Sequence, residues 1–112
     1  MTKDLSESFH EELLAIYKTA LELRPPIRAT AFLGMLQEHG GKGVADRLLA
    51  TNTPSQGFTE LFLRGKENLR LSLEYTVLRE PWRELFTPEQ RAVARKRLKE
   101  VHCPPPPEDV IP

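Results

Sequence analysis

"NLRLSLEYTV", residues 68–77, decides the fold class of this chain. Apolar residues stand at 69, 71, 73, 75 and 77 with polar residues between them, the two-residue period of a half-buried strand. Ser72 followed by Glu74 equally suits the start of a helix, which then carries Leu71, Tyr75 and Leu78 along one face. A strand here has no visible partner, because no second β-rich run exists in the chain, and a lone strand is not stable. The segment is therefore expected to be helical, entered through an extended stretch at 68–71, and the chain to be all-α.

The flanking segments carry helix boundaries. On the C-terminal side Pro81 ends the helix, and "WRELF" is expected to pack Trp82, Leu85 and Phe86 under the next turn. "TPEQ" at 87–90 follows. Thr87 is an N-cap, Pro88 sits at the first helical position, and Gln90 completes a capping box. That helix is expected to run to about Val101 with Val93 or Ala94, Leu98 and Val101 inward. On the N-terminal side Phe58, Leu61 and Phe62 form a helix that stops at Gly65, with Thr53 or Ser55 as its cap.

Nearer the N-terminus, Phe9, Leu13, Ile16, Tyr17, Ala20 and Leu21 recur at helical spacing within 5–23. A capping box from Ser8 and Glu11, or a start a turn earlier at Ser6, opens this helix, and "RPP" at 24–26 ends it. A second helix is expected from Pro26 or Ile27 to the glycine pair Gly40–Gly41. Gly34 within it lowers helix propensity by about 1 kcal/mol, which suggests that a neighbouring helix passes close there. A short third helix carries Val44, Ala45, Leu48 and Leu49.

The glycine-rich stretch "EHGGKGVADRLL", residues 38–49, has the ingredients of a phosphate loop. The lysine lies between glycines, however, and the preceding segment is helical, so it does not fit the P-loop pattern. Gly40 in a left-handed C-cap position, with Gly41 and Gly43 allowing a sharp restart, is the simpler reading. If the amides of Lys42 to Val44 are free, an anion could dock there with Lys42.

At 112 residues, with 39% hydrophobic and 29% charged residues, the chain is expected to form one soluble domain over 1–102. "CPPPPEDVIP" is expected to be a flexible proline-rich tail over 103–112, with Cys103 exposed. Sixteen basic and sixteen acidic residues leave no net field to recruit nucleic acid. The single cysteine rules out an intrachain disulfide and a cysteine-based zinc framework. No stretch approaches the roughly 18 apolar residues of a membrane span, and no signal-like segment is visible, so no membrane is expected and the location is expected to be cytoplasmic.

Charge is uneven along the chain. Residues 88–101 carry Arg91, Arg95, Lys96, Arg97 and Lys99 against Glu89 and Glu100. Lys42, Arg47, Arg91, Arg95, Lys96 and Lys99 are therefore the candidate contacts for an anion or nucleic acid. A helix-turn-helix from the helices of 42–64 is conceivable, although "ATNTPSQG" is long for its turn and the second helix is poor in base-reading side chains. For catalysis the inventory is thin. "FHEELL" is not a zinc-protease motif, since position 14 is leucine, and His10, His39 and His102 are scattered. No enzyme, metal or cofactor is expected.

"HGGKGVADRLL", "SQGFTEL", "LSLEYTVL" and "LFTPEQRAVARKRL" together resemble a pattern of small bacterial helical proteins with no assigned activity, over about residues 27 to 98. The shared elements are a glycine pair before A-x-x-L-L, then G-F-x-x-L, then L-S-x-E. The resemblance implies an all-helical fold and a place beside bacterial regulatory or defence systems. The expectation is a compact bundle of five to six short helices acting as a protein-interaction module or accessory subunit, through a partner or self-association. The alternative is a small DNA-binding protein using 42–64 and the basic helix 88–101.

Overall fold

Asp4 opens the first helix, α1 (Leu5–Leu21), its Oδ1 accepting from the Glu7 N–H at 2.8 Å. The cap therefore lies before Ser6 and Ser8; a carboxylate at this position both accepts an orphan amide and faces the positive helix end. This computed structural model describes residues 4–109, and among them every regular element is helical. After α1 the chain turns back on itself. Ile27, buried, donates its N–H to the Ala20 carbonyl at 3.0 Å, which closes a loop on the α1 C-terminus. That bond holds Ile27 out of a helix, so α2 (Thr30–Leu49) starts later than Pro26 or Ile27.

Gly40 breaks α2 with φ 74° and ψ 166°. The positive φ was expected, but ψ is extended rather than left-handed, a combination open essentially to glycine alone. The next residue makes the close approach that Gly34 was expected to make. A Cβ on Gly41 would lie 2.7 Å from the Cα of His10 on α1, whereas a Cβ on Gly34 meets nothing within 4 Å. The two halves of α2 correspond to the expected second and third helices.

Ser55 caps α3 (Gln56–Leu63), accepting from Phe58 at 3.2 Å, and Gly65 with φ 129° follows its end. Residues 66–71 form a 3-10 helix rather than an extended entry, and Ser72 caps α4 (Leu73–Val77), accepting from Tyr75 at 3.1 Å. The alternating run resolves into helical spacing. Leu69, Leu73 and Val77 are buried at four-residue intervals, while Leu71 and Tyr75 between them are half-buried. A second 3-10 turn, Trp82–Leu85, leads to α5 (Pro88–Glu100), whose capping box joins Thr87 and Gln90 through bonds of 3.0 and 3.1 Å.

The core gathers Phe9 and Leu13 of α1, Leu36 and Val44 from either half of α2, and Ala94 and Leu98 of α5. Phe9 meets Phe86 edge-on at 5.2 Å between ring centroids. These helices form the expected all-α bundle of short helices, and no helix among the described residues is long and apolar enough to cross a membrane.

The tail corrects an expectation over residues 103–109. Cys103 is buried, and its N–H donates to Leu98 at 2.9 Å. Pro106 is fully buried, and the Asp109 carboxylate is enclosed by Arg83 and Arg95. A proline run has little backbone freedom to lose on docking, and a carboxylate between two guanidinium groups supplies the anchor. Residues 110–112 of the expected tail lie outside the described residues.

Candidate functional site: an apolar groove between α1, α2 and α3

On α1, positions 13, 16, 17 and 20 form one apolar stripe at helical spacing. Leu13 and Ala20 are buried, but Ile16 and Tyr17 remain half-exposed. The first half of α2 repeats the pattern, with Leu36 buried and Phe32 and Met35 half-exposed. Phe58 and Leu61 of α3 close the third side. The Arg64 guanidinium at the end of α3 donates to the Pro25 carbonyl and so ties α3 to the loop between α1 and α2. Between the three helices lies an open groove of about 390 Å³. Its volume falls in the range of roughly 300–1,000 Å³ found for ligand sites.

Only two charged residues line this groove, Arg28 and Glu60, and neither side chain makes an ion pair among the described residues. The rest of the lining is mainly aliphatic and aromatic, with Thr30, Ser55, Gln56 and Ser72 as its uncharged polar members.

The six candidate cations do not converge. Lys42 binds both oxygens of Asp46, at 2.7 and 2.9 Å, and sits 5.3 Å above the Phe86 ring. Gln90 of α5 bonds the same Asp46 at 2.8 Å, so this cluster joins α2 to α5. Arg47 is exposed on the second half of α2. On α5, Arg91 is half-buried, Lys99 is exposed, and exposed Lys96 lies 4.0 Å from Glu100. Arg95 is bound to Asp109 through its Nε at 2.6 Å and Nη2 at 2.8 Å. Burial acts to raise the Asp109 carboxyl, but the Arg95 bond and the charges of Arg95 and Arg83 outweigh it and hold it below the usual carboxylate range.

Arg97, from the same basic run, points inward. It bonds Glu74 at 2.9 Å, the Leu48 carbonyl at 3.0 Å and the Thr51 carbonyl at 2.8 Å. Burial pushes the Glu74 carboxyl up, and the Arg97 bond and charge offset this only in part. Glu74 Oε1 is buried without a partner. Sequence reading missed this pair, although position 97 lies between inward Ala94 and Leu98 on α5 and so gave a signal.

At the glycines, the amide just ahead of the Lys42–Val44 stretch is engaged. The Gly41 N–H is taken by His10 Nδ1 at 3.0 Å. His10 and His39 border a shallow cleft with Glu7, Glu11 and Lys42; His102 and Cys103 do not line it. Burial pushes the Cys103 thiol up, away from the reactive thiolate form. Comparison of the chain with protein-family models, curated proteins and solved structures finds no match.

Proposed function

We propose that this protein is a non-catalytic interaction module, an accessory subunit that holds an amphipathic helix of a partner protein in the groove between α1, α2 and α3. The observation that carries this reading is the open apolar groove, where Ile16, Tyr17, Phe32 and Met35 stay half-exposed. Unpartnered apolar surface of this kind is costly to leave in water and marks contact sites. The α1 wall from Leu13 to Ala20 spans about 10 Å at 1.5 Å per residue, or two helical turns. A partner helix fits such a wall with apolar residues at i, i+3 or i+4, and i+7. Arg28 and Glu60 supply the polar rim that sets its register.

The nucleic-acid reading finds less support. Arg95 is engaged by Asp109 and Arg97 is buried, which thins the basic face of α5. Residues 50–55 separate the second half of α2 from α3, longer than the roughly 3–4-residue turn of a helix-turn-helix.

Selection of peptides from a displayed library of helical sequences tests the proposal. Enriched peptides should share the i, i+3/i+4, i+7 apolar pattern. Ala31→Glu, at an exposed position on the groove wall, should weaken them by about tenfold or more without lowering thermal stability. Absence of enrichment, or binding that is lost in Lys96→Ala/Lys99→Ala and kept in Ala31→Glu, contradicts it. So does concentration-dependent dimerisation through the groove, which would make a second copy the occupant.

A further inference from the structure

The two helical walls of the groove are pinned where His10 of α1 meets Gly41 of α2. The Gly41 N–H donates to His10 Nδ1 at 3.0 Å. A nitrogen that accepts carries no proton, so this bond requires an unprotonated Nδ1. Gly41 is the first helical residue after the break at Gly40, and its amide has no acceptor within its own helix. His10 supplies that acceptor from another element, across a contact too tight for a side chain at 41.

We infer that this contact is a pH-sensitive hinge for the groove: protonating His10 removes the acceptor of Gly41 and loosens the Gly40 junction that joins the second half of α2 to its first half, which carries Phe32 and Met35. A protonated imidazole is a donor at both nitrogens, so an Nδ1–H would face the Gly41 N–H. The surrounding charges are mixed. Glu7 and Glu11 on α1 and Lys42 on α2 line the same cleft as the ring. His39 also lines the cleft, 3.9 Å from Glu38, and Lys42 is held by Asp46. From the segment packed behind α1, Arg79 is paired with Glu12 and does not line the cleft. Whatever the balance of these charges, the protonated ring cannot accept. Gly41 opens the second half of α2, and Gly40 alone separates it from the first half, so release at Gly41 loosens the junction that carries the wall.

The hinge rests on the groove reading only for its consequence, and its test needs no partner. In the full chain, NMR is used to follow the His10 ring, the Gly41 amide protection factor and the Met35 methyl between pH 7.5 and 5.0. The expected result is a fall of about tenfold or more in Gly41 protection, on the scale of one lost hydrogen bond. The Met35 methyl shift should move with the same midpoint as the His10 ring. His10→Asn, which keeps an acceptor and does not titrate, should flatten both responses, and His39→Asn should leave both unchanged. Should His10→Asn fail to fold, the wild-type titration decides alone. Gly41 protection that does not depend on pH overturns the hinge. Gly41 release without any Met35 response overturns its coupling to the groove, while peptide binding at either pH still tests the groove separately.

Discussion

At Gly41 one methyl group determines whether α1 and α2 can meet. An added Cβ would lie 2.7 Å from the His10 Cα, 3.1 Å from its N and 3.2 Å from its Cβ, and backbone on a packed helix cannot give way as a flexible side chain does. Gly41→Ala is predicted to destabilise the protein by about 2–3 kcal/mol. Gly34 is the internal control, since nothing lies within 4 Å of its added Cβ and it occupies a helix interior. Gly34→Ala should stabilise by about 0.5–1 kcal/mol. Denaturant unfolding of the two variants checks both signs. Equal effects would show that α1 and α2 do not meet at 41. The sequence marks both glycines alike, because a close approach depends on where another helix runs and leaves no local trace.

Among the elements, α5 is held by one buried arginine. Arg97 bonds Glu74 on α4, the last-turn carbonyl of Leu48 on α2, and Thr51 beyond it. Breaking a buried pair from one side leaves the other charge stranded, so Arg97→Met is predicted to cost about 3–5 kcal/mol. Glu74→Gln keeps an acceptor but leaves the buried Arg97 guanidinium without its counter-charge, and that group cannot shed its proton, so it should cost about 3–5 kcal/mol as well. Unfolding midpoints of the two variants test this, and a loss below about 1 kcal/mol in either would contradict the buried pair as the tie that holds α5. The boundaries around these elements were legible because they are local. Thr87 and Gln90 form their capping box within four residues, and Ser55, Ser72 and Gly65 act on their immediate neighbours. The inward turn of Arg97 and Glu74 was not, since charged residues read as surface until a partner element is in place. The late start of α2 was hidden for the same reason, its cause being the bond from Ile27 back to Ala20. The groove was half legible: the stripe of Ile16, Tyr17, Phe32 and Met35 was visible, but periodicity alone does not distinguish a covered stripe from an open one.

For the molecule as a whole, the chain is closed by Asp109, which fastens the segment after α5 to Arg83 and Arg95. Its carboxyl is held below its ordinary value, so the clamp contributes fully above about pH 4 and is lost as pH falls through the lowered value. Asp109→Asn should lower stability at pH 7 by about 2 kcal/mol, read as a drop of several degrees in Tm. Wild type and variant should converge in strong acid, and a constant gap down to pH 2 would contradict the clamp. Where the partner helix sits is read from intermolecular NOEs between the protein and a selected amphipathic peptide. Contacts from the peptide's apolar residues to the side chains of Ile16, Phe32 and Met35 are predicted. Contacts confined to the exposed face of α5 around Lys96 and Lys99, with the groove methyls unperturbed, would contradict docking in the groove.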